Sequence, residues 1–295
     1  MTDASERRDV VIGIVLVLAA STVFSAVDGF SKMLADTQSV AQIVWARYVL
    51  ALPMLLVTTR PSGWSRLFRT ARPMQQIARG LTPLVISITM VYGVRYLPLA
   101  EATVILFAAP FLVVALAVPL LKERVPLASW IGVIVGFISV IIVVRPGFNE
   151  LSPYAALPLL GAVFFALLQL ITRQLGAAGE RPTTTLAWTL VVGSIASTPF
   201  AVAGWEPLTS NAWMVMIALG FVFAVSQLLM IAALSYAPAG VLAPFNYMQI
   251  ISAVVFGIVV FGDVPDAWSF VGIAIMIGAG IYVLRKDTAK PRSGS

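Results

Sequence analysis

Apolar runs of about 20 residues follow one another from end to end of this chain, separated by short charged or Pro/Gly-marked breaks. A helix of that length, rising about 1.5 Å per residue, crosses the hydrocarbon of a bilayer. Only 11% of the 295 residues are charged and 60% are hydrophobic, too little charge to cover a soluble fold of this size. The chain therefore reads as an all-α polytopic membrane protein.

Ten stretches are expected to span, near residues 10–34, 39–59, 74–94, 98–121, 127–145, 153–175, 183–203, 211–235, 240–261 and 267–285. The count rests most on two short breaks, SYAPAG from Ser235 to Gly240 and the Arg95–Pro98 turn. Charge bias orients the spans. With the N-terminus inside, Arg7, Arg8, Arg60, Arg66, Arg69, Arg72, Lys122, Arg124, Arg181, Arg285, Lys286, Lys290 and Arg292 all fall on the cytoplasmic side. The other side holds Arg95 and Arg145, plus Lys32 near a helix end. Both termini are thus expected in the cytoplasm, and the apolar run from Val10 is read as a retained first span rather than a cleaved leader.

The residue inventory limits chemistry. There is no Cys and no His, so thiolate chemistry, disulfides and the commonest general base and metal ligand are missing, and no paired-aspartate spacing replaces them. No enzyme activity, cofactor or metal site is expected. The net charge of +6 is accounted for by cytoplasmic loops, and no nucleic-acid motif accompanies it. The basic loop from Arg60 to Arg79 suits contact with anionic lipid.

The chain also repeats. RYLPLAEATVILFAAPF aligns with SYAPAGVLAPFNYMQII, so that Tyr96 matches Tyr236, Pro98 matches Pro238, Glu123 matches Asp263, Gly132 matches Gly272 and Arg145 matches Arg285. In the first helix of each half, Phe24 pairs with Phe165, Asp28 with Gln169, Ser31 with Thr172 and Lys32 with Arg173. Five spans per half is an odd number, so the halves, 1–148 and 149–295, must lie in opposite orientations. Inverted repeats are a recurring plan of secondary transporters, because the halves can exchange roles about a central site.

On these residues the chain resembles the drug/metabolite transporter superfamily, in its EamA-type branch. The Tyr-x-Pro turn, the small-residue helix with Pro110, the acid at Glu123 and Pro126 carry the likeness in the first half. Asp263 and Pro265 carry it in the second, and WARYVLALPM is similar to the family's second helix. Within the branch the nearest resemblance is to bacterial exporters of aromatic amino acids and methionine. The resemblance implies an alternating-access exporter in the bacterial inner membrane. The expected substrates are aromatic or hydrophobic amino acids, methionine and similar small amphipathic metabolites. Two alternatives stay open: export of drugs or nucleotide- or sugar-type metabolites, and a non-transporting receptor or scaffold.

An ionisable side chain inside a bilayer is a functional suspect. Asp28, Lys32 and Asp36 share a helix face at i, i+4, i+8, either as a ladder near the outer surface or with Asp28 turned to a cavity. Arg47 lies roughly 12 Å into span two, as a partner for Asp28 or Asp36 or as a carboxylate-binding cation. Asn246 and Gln249 share a face after Pro244; with Tyr247, Met248 and Gln227 they suit an apolar pocket holding a few polar groups, or else interhelical hydrogen bonds. Phe24, Tyr92, Phe107, Phe111 and Phe165 are candidate walls, and Gln169 is the counterpart of Asp28. Pro98, Pro110, Pro238 and Pro244 are candidate hinges. Asp28 and Glu101 are the acids that could carry a coupled proton, though Glu101 also suits the first turn of a helix at the outer surface. Gly132/Gly136 and Ala274/Gly278 suit close helix contact within a monomer or a weak homodimer.

Overall fold

The computed structural model describes residues 2–58, 67–121, 127–144, 153–237 and 242–288. Among these, helices fall on every stretch expected to span, and no strand occurs. In chain order they are α1 (Thr2–Ala35), α2 (Val40–Val49), α3 (Leu52–Thr58), α4 (Pro73–Tyr96), α5 (Leu99–Leu106), α6 (Ala109–Leu121), α7 (Leu127–Val144), α8 (Ala156–Ala177), α9 (Pro182–Ala203), α10 (Ser210–Tyr236), α11 (Met248–Phe256) and α12 (Ala267–Thr288). Six helical stretches are long and apolar enough to cross a membrane, and Val40–Leu55, Trp130–Val144, Phe245–Phe261 and Ala267–Tyr282 are shorter apolar ones. Pro238, Glu123 and Arg145 lie outside the described residues.

Local chemistry sets the ends. Ser39 caps α2 in a reciprocal box with Gln42. Thr209 accepts from the Ala212 amide at the start of α10, and Asp266 from the Ser269 amide at the start of α12. Pro73 and Pro182 open α4 and α9, where a missing N–H leaves no helical bond unmade. Pro98 falls one place earlier than N1, at the N-cap of α5, and Glu101 sits in the first turn as expected.

Span four is two helices rather than one softened helix. It breaks at Phe107–Ala108, just before Pro110, which cannot donate to the Leu106 carbonyl. Pro53 produces the same effect between α2 and α3. Span nine opens with a 3-10 turn at Ala243–Tyr247, which contains Pro244, and closes with a π turn at Gly257–Phe261. There Gly262 adopts φ +71°, a left-handed conformation that glycine accepts without strain, and the chain turns into Asp263.

The packing interchanges when the two halves are swapped. α1 lies on α10 as α8 lies on α4; α1 meets α11 as α8 meets α5 and α6; α2 pairs with α9, and α7 with α12. The exchange is incomplete. α1 packs against α4, but α8 has no comparable packing on α10. The apolar core has two main clusters, one around α5, α6, α7, α11 and α12, and one around α1, α2, α4, α9 and α10.

The small-residue contact between α7 and α12 uses different positions from those expected. Ala274 and Gly278 are exposed, and a side chain at Gly278 would meet nothing. Gly272 instead faces Val143 and the Ser139 carbonyl of α7, while Gly136 accommodates the ring of Phe111. Gly272→Leu is expected to destabilise the protein by roughly 1–3 kcal/mol through overpacking. Gly278→Leu should stay within about 0.5 kcal/mol of the parent. Unfolding of the purified protein in one detergent, followed side by side, checks both.

Candidate functional site

A guanidinium in the interior of the bundle has to find acceptors, and Arg47 of α2 finds three. Its Nη2 donates to Asp28 Oδ1 at 3.3 Å and to Ser31 Oγ at 2.7 Å, both on α1; its Nη1 donates to Ser87 Oγ of α4 at 3.2 Å. Tyr48 hydrogen-bonds Ser87 as well, at 3.2 Å. The Arg47 and Asp28 side chains are 3% and 4% exposed. Phe223 closes the cluster, its ring 6.0 Å from the guanidinium and edge-on to Phe24 at 6.2 Å. Of the two acids expected to serve Arg47, Asp28 does so, while Asp36 is exposed.

The Asp28–Lys32–Asp36 spacing does not become a ladder along α1. Lys32 reaches across to the far half, where it ion-pairs with Asp263 and lies 4.9 Å from the Phe261 ring, and it donates to the Leu97 carbonyl of its own half at 3.4 Å. Asp28 has turned to α2. Partners on packed neighbouring helices outcompete an i, i+4 partner on an exposed face, which is worth only tenths of a kcal/mol, about 0.2–0.5.

The matching turn of α8 meets a different fate. Asp28, Ser31 and Ala35 are buried, whereas their counterparts Gln169, Thr172 and Gly176 are exposed, as is Arg173, the counterpart of Lys32. These four α8 residues share one face at i, i+3, i+4, i+7. The two turns lie toward opposite ends of α4: Lys32 contacts Leu97, just past its C-terminus, while Thr172 contacts Arg79, near its N-terminus. Along a helix those positions are roughly 27 Å apart.

Arg79 was missed by sequence reading, which counted it with a basic loop. α4 begins at Pro73, so Arg79 lies nearly two turns inside, where its Nε donates to Thr172 Oγ1 at 3.2 Å and its Nη1 donates to Thr189 of α9. Pro73 as a first-turn proline was the available signal. Glu180 was missed too; it accepts from Thr70 Oγ1 (2.7 Å), the Ala71 amide (3.0 Å) and Gln76 Nε2 (3.2 Å), tying the α8–α9 turn to α4.

The remaining candidates divide. Asn246, Met248, Gln249 and Gln227 are half-buried. Gln249 meets α1 through its carbonyl, which accepts from Ser25 Oγ at 2.7 Å, and Ser252 bonds Thr22 at 3.2 Å one turn on. Phe107 and Tyr247 pack together in the core, ring centroids 5.6 Å apart, with Tyr247 seated against Gly280. Phe111 is buried against Gly136, and Tyr92 is exposed. Glu101 accepts from Ser269 of α12 at 3.4 Å. Among the described residues no cluster of acids could hold a metal ion.

A polar helix face cannot be left against hydrocarbon, so the α8 face suits water or headgroups, while its α1 counterpart is buried. Unequal burial of one turn in two repeats suits a membrane transporter, whose halves exchange roles. The particular kind follows from the sequence as a whole: the chain belongs to the EamA-like transporter family, whose profile matches residues 11–145 and again 153–285. Similar proteins include an S-adenosylmethionine uptake transporter of Rickettsia bellii, 27% identical over 97% of each chain. A pseudopaline exporter of Pseudomonas aeruginosa PAO1 is 27% identical over 92% of this chain and 96% of its own. A riboflavin transporter of Brucella anthropi is 27% identical over 94% and 99%. One solved structure superposes with a TM-score of 0.59 over 96% of this chain and 99% of its own, at 14% identity, a likeness of fold alone.

The Arg47–Asp28 pair makes a stability prediction. Arg47→Met should cost about 3–5 kcal/mol, because it strands a carboxylate in the interior. The double change Asp28→Leu/Arg47→Met should recover most of that loss. Thermal unfolding of the three proteins in one detergent measures the difference.

Proposed function

We propose that this chain is a ten-span exporter of the bacterial inner membrane with both termini cytoplasmic. It works by alternating access between two inverted five-helix repeats, 1–148 and 149–295. Its substrates are small amphipathic metabolites, aromatic or hydrophobic amino acids and methionine first among them. The observation that carries the reading is the unequal burial of one repeated turn: Asp28 and Ser31 are sealed, Gln169 and Thr172 exposed. With the Lys/Arg-rich segments inside, the exposed turn lies toward the cytoplasm, so this is the form that takes up substrate there. Phe24, Gln227, Asn246, Met248 and Gln249 are the side chains proposed to meet the substrate between the two ends, in a mostly apolar surface with few polar groups.

The relatives support the substrate class by chemistry. S-adenosylmethionine contains a methionine unit, and riboflavin is a polar aromatic, so amphipathic molecules of this kind fit the family's range. The riboflavin and adenosyl groups also favour a second reading, in which the substrate carries a larger heterocycle. Proteoliposome uptake of labelled phenylalanine, methionine, S-adenosylmethionine and riboflavin separates the two. Movement of the amino acids supports the first; movement of the heterocyclic compounds alone supports the second.

The chain has no Cys, so single-Cys variants report accessibility without background. A membrane-impermeant methanethiosulfonate should modify Gln169→Cys in inside-out vesicles and leave Ser31→Cys unmodified in intact spheroplasts. Rapid labelling of Ser31→Cys from outside, with Gln169→Cys protected, would reverse the assignment of the open end.

A further inference from the structure

Arg47 of α2 and Arg79 of α4 are not repeat counterparts, but their hydrogen bonding is alike. Each donates to hydroxyls on two neighbouring helices: Arg47 to Ser31 and Ser87, Arg79 to Thr172 and Thr189. Ser31 and Thr172 are the same repeat position. The difference is the counter-ion. Arg47 pairs with Asp28, and the equivalent of Asp28 in the second half is the neutral Gln169. Among the described residues no carboxylate pairs with Arg79. Its hydrogen-bond partners are neutral threonine hydroxyls, at a depth where a lone cation is unfavourable. Thr172 and Gln169 are exposed one turn apart on the face that meets water, so an anion can arrive.

We propose that Arg79, with Thr172 and Gln169, binds the carboxylate of the transported metabolite at the open end, filling the place that Asp28 fills permanently beside Arg47. A guanidinium flanked by hydroxyl and amide groups is suited to a carboxylate, which accepts charge-assisted hydrogen bonds from the fork. Asp28 then acts as the tethered stand-in that keeps the closed end neutral and occupied. The substrate class rests on the amino-acid reading above; the anion site itself does not.

Two small probes isolate the site from that reading. Benzoate carries the carboxylate and benzamide is its neutral analogue. Benzoate, and not benzamide, should raise the melting temperature of the nanodisc-embedded protein. Arg79→Gln should weaken the apparent affinity for benzoate at least about tenfold, since a charge-assisted hydrogen bond is lost. Arg79→Lys should retain part of the response, and Thr172→Val should reduce it; these two decide the matter if Arg79→Gln does not fold. An equal response to both probes in the parent, no response to either, or an unchanged benzoate response across the variants overturns the proposal. Labelled phenylalanine and methionine uptake is measured alongside. Arg79-dependent benzoate binding with no amino-acid uptake leaves the anion site standing and removes the substrate class. Uptake with an unchanged KM in Arg79→Gln removes the site and leaves the substrate class.

Discussion

Hydrocarbon offers no hydrogen bonds, and this one fact organises the molecule. Each polar group inside a spanning helix must be bonded to another or must look into water. Asp28, Arg47, Ser31, Ser87 and Tyr48 bond one another in a buried group, with the Arg47 Nε left over. Between α1 and α11, Ser25 donates to the Gln249 carbonyl and Ser252 to the Thr22 hydroxyl. The Gln169–Gly176 face of α8 is exposed instead, and the proposed function makes it the border of the open end. The missing α8–α10 packing falls in with the same proposal.

The sealed end is held by ties of modest strength between the halves. Lys32 meets Asp263, with side chains 17% and 30% exposed. Ser269 meets Glu101, and Tyr96 stacks on Tyr154 at 3.8 Å. A partly exposed ion pair is worth only about 0–1 kcal/mol, so these contacts can be exchanged without large cost. The Arg47–Asp28 pair is of another kind. It is buried, joins helices of the same half, and would leave a stranded charge if broken. A rigid pair inside one half and weak ties between halves is what motion of one half against the other requires.

Much of this was legible in the sequence because it depends on periodicity. Apolar run length placed the helices, and the 140-residue offset exposed the repeat. Depth alone gave Arg47 its role as partner to an acid. Other features depend on where the chain folds back, which no local pattern states. Lys32 lies 231 positions from Asp263, and an i, i+4 neighbour looked the simpler partner. Phe107 and Tyr247 look the same in sequence whether they line a passage or fill the core; their contact with each other and with Gly280 places them in the core. Arg79 was hidden by its basic neighbours, although the helix start at Pro73 puts it inside the bundle. On α12 small residues recur often, and spacing pointed to the exposed pair Ala274/Gly278 rather than to Gly272, which makes the contact.

The central claim is that the two ends open in turn, which requires the Lys32–Asp263 end to part during every cycle. Lys32→Cys/Asp263→Cys, joined by a short bifunctional thiol reagent with a cleavable disulfide, tests this in proteoliposomes loaded for counterflow of a labelled substrate. The account predicts that cross-linking stops counterflow, that reductant restores it, and that each single-Cys variant treated alike continues to transport. Counterflow at the untreated rate in fully cross-linked protein would contradict it.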